Sequence, residues 1–379
     1  MMHGFEFYTP TRVIFGAGSL EKLPEAVGRC GAKRVFVIYG GQSAKKSGTL
    51  DRVEALLTGA GIAFAAIGGV KPNPRLGLAR EAIREAIAFG ADLILAVGGG
   101  SVIDTAKATA HGTANPEADI WDIWMGKAKL EKSLPVGVVL TIPAAGSEMS
   151  DSAVLTDEAA LAKRGLNTDL NRPAFALMDP SLAATLPARQ AACGVTDIMM
   201  HTLERYVNPL ENDMTDEIAE ALLRVVIRHG EAVVKNPGDI DAMSEIMWAG
   251  SLSHNNLTGL GGKKDFSVHQ FGQAIGEKFD IYHGETLSAM WASYARYVAP
   301  TNFARFARYA RNVWGVEEAD DEKAAMAGID ATEAYFKRLG MPVRIAELSC
   351  GVQDEAGLYD LALRCSRNRG RTIGSFRVL

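Results

Sequence analysis

Cysteine is scarce in this chain of 379 residues. The four present, Cys30, Cys193, Cys350 and Cys365, are scattered, and no C-x-x-C pair occurs. This excludes a disulfide framework and a thiolate zinc knuckle, and it fits reduced thiols in a cytoplasm. No apolar run approaches the roughly 18 residues of a membrane span, so none is expected. Positive charge is not in surplus: 40 Lys and Arg face 45 Asp and Glu, a net charge of −5. Nothing in that balance points to a nucleic-acid partner. The start, Met1-Met2-His3-Gly4-Phe5-Glu6, lacks the basic and apolar regions of a secretory leader, so cytoplasmic residence is the expectation. There is no internal repeat and no low-complexity segment.

Two things are present in quantity. Hydrophobic residues make up 47% against 22% charged, enough apolar surface for a folded globular protein and too much for disorder. Glycine, at 39 against 14 proline, suggests many tight turns or close backbone approaches to a ligand. The length asks for two domains.

The first half alternates strand and helix signals. Strands are read at Val13–Phe15, Arg34–Tyr39 (RVFVIY), Ile62–Ile67, Asp92–Val97 (DLILAV) and Pro135–Ile142 (PVGVVLTI). Between them lie helical patterns at Leu20–Val27, Thr49–Ala60, Leu78–Phe89 and Val102–Ala110. Strands separated by helices imply βαβ crossovers and a mostly parallel sheet. Beyond Pro187 helical patterns dominate: Arg189–Tyr206, Thr215–Lys235, Asp241–Leu252, Gly284–Val298, Ala304–Val313, Glu322–Leu339 and Glu355–Cys365. The expectation is an α/β domain over residues 1–185 and an all-α domain over 186–379.

Gly98-Gly99-Gly100-Ser101 follows a strand and opens a helix. Glycines there let the backbone approach a phosphate, and a helix N-terminus supplies N–H donors and a positive dipole end. Gly40-Gly41 closes the RVFVIY strand, and both turns should lie at the carboxyl edge of the sheet, where ligands bind. Neither has the G-x-G-x-x-G spacing. Gly16-Ala17-Gly18 fails it too and reads as a plain strand-to-helix turn. An NAD site wants an acidic residue after the RVFVIY strand to hold the ribose hydroxyls. The chain instead reads Gly40-Gly41-Gln42-Ser43-Ala44-Lys45-Lys46; a solvated basic helix start is the alternative, but the hydroxyl and two lysines suit the extra phosphate of NADP better, so NADP is favoured over NAD.

Asp197 and His201 stand four apart, about 40° offset on a helix, so they share a face. Taken alone, the pair reads better as an ion pair or a satisfied core histidine. His269 and His283 shift the reading. One carboxylate with three imidazoles is a reasonable ligand set for one divalent metal such as Fe2+ or Zn2+. Of the other histidines, His111 reads as structural and His229 as a cap or surface group. His254, in Ser253-His254-Asn255-Asn256, is a candidate for lining the active site.

Together these residues resemble the iron-containing, or group III, alcohol dehydrogenase family. The likeness runs through Val70-Lys71-Pro72-Asn73-Pro74, Gly98 to Lys107, Leu140 to Glu148, Asp179-Pro180, Gly194-Val195-Thr196-Asp197 with His201, and then His269 and His283. It covers nearly the whole chain in order. The residues Tyr39 to Lys46, with Lys163, are most similar to the NADPH-dependent butanol dehydrogenase and aldehyde reductase branch. The resemblance implies a dehydroquinate-synthase-like fold, with the metal and active site in the cleft between the domains, and a homodimer. It implies reversible hydride transfer between NADP(H) and a primary alcohol or aldehyde, the metal polarising the substrate oxygen. It carries over Asp197, His201, His269 and His283 as metal ligands. The implied cofactor contacts are Gly40, Gly41, Ser43, Asn73, Gly99, Gly100, Ser101, Asp104, Thr141 and Lys163.

Two positions depart from the family pattern. Gln273 stands where many members have a histidine that relays protons, and a glutamine cannot act as acid or base near neutral pH. Ala145 replaces a threonine. The proton then needs another path, for which His254, a ribose hydroxyl or water are candidates. The alternatives are an NAD-dependent glycerol or diol dehydrogenase of the same fold and a metal-dependent hydrolase. The hydrolase would not need the glycine turn at 98–101.

Overall fold

The computed structural model describes residues 3–379. The chain divides into two compact units. One runs Tyr8–Leu186; the other is Pro187–Leu379 together with the N-terminal segment that ends at Phe7.

The first unit is built on a six-stranded sheet. Its elements are β1 (Arg12–Phe15), α1 (Leu23–Arg29), β2 (Arg34–Tyr39), α2 (Ser43–Lys46), α3 (Thr49–Gly59), β3 (Ala63–Ile67), α4 (Leu76–Phe89), β4 (Leu93–Gly98), α5 (Gly100–Ala114), α6 (Ile120–Trp124), β5 (Val136–Leu140) and β8 (Phe175–Met178), with β6 (Ser152–Asp157) and β7 (Ala162–Asn167) between β5 and β8. The sheet order is β1-β8-β5-β4-β2-β3, and every neighbouring pair is parallel. Helices on both faces explain why β4 and β5 read as unbroken apolar runs: each is buried along its whole length. The chain winds outward from β2 to β3, then returns through β4 to β5. The direction therefore reverses between β2 and β4, which is where open parallel sheets bind ligands.

Three strands escape the sequence reading. β8 has only four residues. β6 and β7 form a separate antiparallel ribbon, with Thr156 opposite Lys163. β7 reads AKRGLN, a poor strand by propensity. Its conformation is imposed by its partner strand.

The second unit is helical: α7 (Ala188–Tyr206), α8 (Asp213–Lys235), α9 (Ile240–His254), α10 (Ser267–Phe279), α11 (His283–Val298), α12 (Phe303–Trp314), α13 (Asp321–Arg338) and α14 (Glu355–Cys365). Among the described residues it contains no strand. A buried ion pair braces it: Arg305 holds Asp216 through two hydrogen bonds of 2.6 Å each and donates to the Tyr206 carbonyl. Of these eight helices only α10 lies outside the segments read as helical from the sequence. No helix among the described residues is long and apolar enough to cross a membrane. All four cysteines are free thiols.

His111 is structural, as expected. It is fully buried in α5. Its Nε2–H donates to Asn171 Oδ1 at 2.8 Å, and its Nδ1 lies 2.9 Å from Ser133 Oγ. Asn171 in turn donates to the carbonyls of Asp151 and Leu166, tying the ribbon to the sheet. Burial pushes the His111 imidazole down to about 4, outweighing the hydrogen bond to Asn171. As pH falls from about 6.5 to about 4 the unfolded chain takes up this proton before the native chain does, so stability drops across that window. The loss amounts to about 3 kcal/mol when complete. In His111→Gln the urea midpoint should fall less between about pH 7 and about pH 4.5 than in the parent. An equal fall in both proteins would assign the acid sensitivity to other groups.

Candidate functional site

The two glycine turns emerge side by side. Tyr39 of β2 pairs with Val97 of β4, so Gly40-Gly41 and Gly98–Ser101 leave adjacent strands at the same edge. Packing dictates the glycines of the second turn. A Cβ on Gly99 would lie 2.8 Å from the Ile142 Cβ, and one on Gly100 would lie 2.9 Å from the Ala145 Cβ. The turn at 142–145 thus presses directly on the start of α5. Thr141 donates its N–H to the Gly98 carbonyl at 3.1 Å, fixing the two turns together. The Gly99 carbonyl takes the N–H groups of Val102 at 2.9 Å and Ile103 at 3.1 Å, which leaves those of Gly100 and Ser101, at the very start of α5, without an acceptor from the helix ladder. Gly16-Ala17-Gly18, by contrast, follows the edge strand β1, and Gly18 N–H is taken by Asp179 at 2.7 Å.

The remaining expected cofactor residues divide into two kinds. Ser43 is exposed at the start of α2, with Lys45 over the Tyr39 ring at 5.2 Å. Lys163 is buried on β7 and donates to Asn73 Oδ1 at 3.1 Å, bringing together residues ninety positions apart. Asn73 sits at φ +59°, a left-handed conformation that asparagine tolerates. Asp104 is different. Both its oxygens are engaged by protein, one by Ser147 Oγ at 2.7 Å and the other by Val154 N–H at 3.0 Å. Lys107, fully buried, donates to Ser147 Oγ and to the carbonyls of Ser150 and Ser152. Burial lowers its ammonium to about 8, against the pull of Asp104 and Glu148. This network holds the segment 147–154 against α5.

In the helical unit, α7 presents Asp197, His201 and Glu204 on one face. α10 supplies His269 and α11 supplies His283. Gly284 permits the last: a Cβ there would fall 2.6 Å from the Cα and carbonyl oxygen of Cys193, so the start of α11 lies on the α7 backbone one turn before Asp197. Asp197 Oδ1 stands 3.6 Å from His201 Nε2, 3.6 Å from His269 Nε2 and 4.0 Å from His283 Nε2. Asp197, His269 and His283 offer ligand atoms all within 4.8 Å of one another. His201 joins through its approach to Asp197, its ring stacked 4.6 Å from that of His269.

The donor set fits a metal ion. Asp197 Oδ1 and His269 Nε2 are buried without a hydrogen-bond partner, which is costly unless a cation serves them. Ligand atoms about 2.1 Å from one ion in tetrahedral array stand about 3.4 Å apart, close to the spacings seen. Burial alone would lower His269, but the Glu204 and Asp197 carboxylates override it and raise it to about 9. The two carboxylates thus set a negative potential there, which a cation at Nε2 would answer in place of the second proton. His201 is held well below its ordinary value by burial and by the neighbouring histidines.

His254, at the end of α9, lies against His201 with ring centroids 3.9 Å apart. Gln273 stands one turn beyond His269 on α10 and is half-buried. Sequence reasoning missed Glu204, which bonds His269 Nδ1. The signal was available: it lies three residues after His201, on the ligand face of a helix already identified.

Comparison with known proteins bears on this pair of sites. The pattern of iron-containing alcohol dehydrogenases matches residues 10–180, and that of the C-terminal region of the same family matches residues 190–375. The chain belongs to the iron-containing alcohol dehydrogenase family. It is a metal-dependent oxidoreductase of alcohols and aldehydes, in a family that binds a metal and a nicotinamide cofactor. It is 36% identical over 381 residues to NADH-dependent butanol dehydrogenase A of Clostridium acetobutylicum, covering 100% of this chain and 97% of that one. It is 34% identical over 349 residues to NADPH-dependent aldehyde reductase YqhD of Escherichia coli, covering 91% and 89%. Among solved structures, NADH-dependent butanol dehydrogenase A of Thermotoga maritima superposes with a TM-score of 0.94 at 34% identity, covering 100% of this chain and 96% of that one.

Proposed function

We propose that this enzyme interconverts a primary alcohol and its aldehyde using NADP(H), with the metal held by Asp197, His201, His269 and His283. The Tyr8–Leu186 unit serves as the dinucleotide-binding domain and the helical unit as the metal-binding domain. The observation that carries the reading is a pair of buried ligand atoms without a hydrogen-bond partner, Asp197 Oδ1 on α7 and His269 Nε2 on α10, with His283 of α11 within reach of both. When bound, the metal supplies Lewis-acid polarisation of the substrate oxygen and the nicotinamide supplies the hydride.

The chain's own residues do the rest. Gly40, Gly41, Gly99, Gly100 and Ser101 receive the pyrophosphate at the point where the sheet reverses direction. Thr141 and the turn it anchors define the nicotinamide end. Asp104 supports this edge from within. Two features favour NADP over NAD. No carboxylate follows β2 to hold a ribose 2′-hydroxyl, and Ser43 and Lys163 offer a hydroxyl and a cation suited to a 2′-phosphate. An NADH-dependent reading draws on the butanol dehydrogenase of Clostridium acetobutylicum. His254, ring against ring with His201, takes the proton-relay role that Gln273 cannot fill. The enzyme works as a cytoplasmic homodimer, with Fe2+ or Zn2+ as the ion.

His269→Ala should lose the metal and turnover together, checked by metal analysis of protein purified without chelator and by NADPH absorbance with a panel of aldehydes. Metal retained at full occupancy would overturn the ligand set. The ratio of kcat/KM for NADPH over NADH should exceed about tenfold, the equivalent of one charge-assisted contact, and Lys163→Gln should lower it. A preference for NADH in the parent enzyme would reverse the cofactor assignment. Replacing His254 by Ala should remove one ionisation from the pH–rate profile, and an unchanged profile would exclude it from the proton path.

A further inference from the structure

We infer that Glu204 is a positioning residue, which fixes His269 in the tautomer and orientation a metal needs by capping the helix that carries it. The inference rests on the reading of His269 as a metal ligand. Glu204 follows Asp197 by seven residues and His201 by three, so all three lie on one face of α7. It is 1% exposed. A carboxylate so deep must be satisfied, and every partner it has here leads to His269. Oε1 accepts the Val268 N–H at 2.5 Å, and Oε2 accepts the His269 N–H at 3.1 Å. Oε2 also takes the proton of His269 Nδ1. The Glu204 backbone carbonyl accepts the Asp265 N–H at 2.8 Å, steadying the approach to α10.

Three consequences follow from that arrangement. First, α10 enters through Phe266 at φ +53° with no side-chain cap from that residue, so two of its leading N–H groups depend on a carboxylate from another helix. The positive end of the α10 dipole also favours that anion. Second, a proton fixed on Nδ1 leaves the lone pair on Nε2, the atom 3.6 Å from Asp197 Oδ1 and without a hydrogen-bond partner. Third, one carboxylate sets both the backbone position of residue 269 and the rotation of its ring, the two variables that aim Nε2. A carboxylate behind a ligating histidine also raises the basicity of the ligand.

A cap alone would stabilise α10 without touching metal affinity, and this separates the two roles. Glu204→Gln keeps the shape of the side chain but turns an NH2 toward groups that must donate. In chelator competition with Zn2+, this variant should bind one ion per chain 10- to 100-fold more weakly than the parent. Its Co2+-loaded form should show shifted visible bands. Glu204→Asp keeps the charge but shortens the reach; it should also bind Zn2+ more weakly, and it carries the test if the glutamine variant does not fold. Parental Zn2+ affinity and Co2+ bands in the folded variants, even with a lower Tm of the metal-free protein, would overturn the inference and leave Glu204 a helix cap. A parent that binds no Zn2+ would instead overturn the ligand reading itself.

Discussion

The helical half of the molecule is organised around a carboxylate that has been taken out of water. Glu204 has almost no exposed surface, and an unsatisfied charge at that depth would cost several kcal/mol. Its solution is to hold the first N–H groups of α10 and the ring of His269. That one satisfaction fixes where α10 begins, and so where His269 stands relative to Asp197 and His201 on α7. Gly284 does the equivalent work for α11 by letting its backbone touch Cys193. The site is thus assembled by two close approaches to a single helix.

The sheet half follows a related logic. A parallel sheet covered on both faces gives no freedom to its interior, so ligand chemistry falls to the turns at the strand ends. There the glycines serve packing as much as any ligand. The 142–145 turn approaches the start of α5 so closely that Gly99 and Gly100 have no room for a Cβ. Asp104 and Lys107 hold the turn from behind through Ser147. The apparent surplus of glycine in the composition is partly this requirement for contact between backbones.

How much of this the sequence discloses depends on how local each cause is. RVFVIY and DLILAV are strands because β-branched and apolar residues in short runs have few other places to go, and both appear at nearly the expected bounds. The long helices from Ala188 onward carry their own periodicity. Two of the failures share one property. β7 is a strand because β6 lies beside it, and α10 is a helix whose cap comes from α7; neither cause is written in the segment itself. The histidine at 269 was therefore visible as a residue but not as part of a helix, and Glu204 was hidden because its meaning depends on α10 being there.

The sequence by itself determined the division into an α/β half and a helical half, the glycine turns after β2 and β4, and the candidacy of Asp197, His201, His269 and His283 as ligands, since periodicity and residue chemistry are properties of the chain. Only the tertiary structure decided that Tyr39 and Val97 are neighbours, which puts the two turns at one point of reversal. It also decided that residues separated by up to 86 positions, Asp197 to His283, converge within a few ångströms. Convergence of that kind is set by how helices pack and by which buried groups must find partners, and those conditions exist only once the chain has folded.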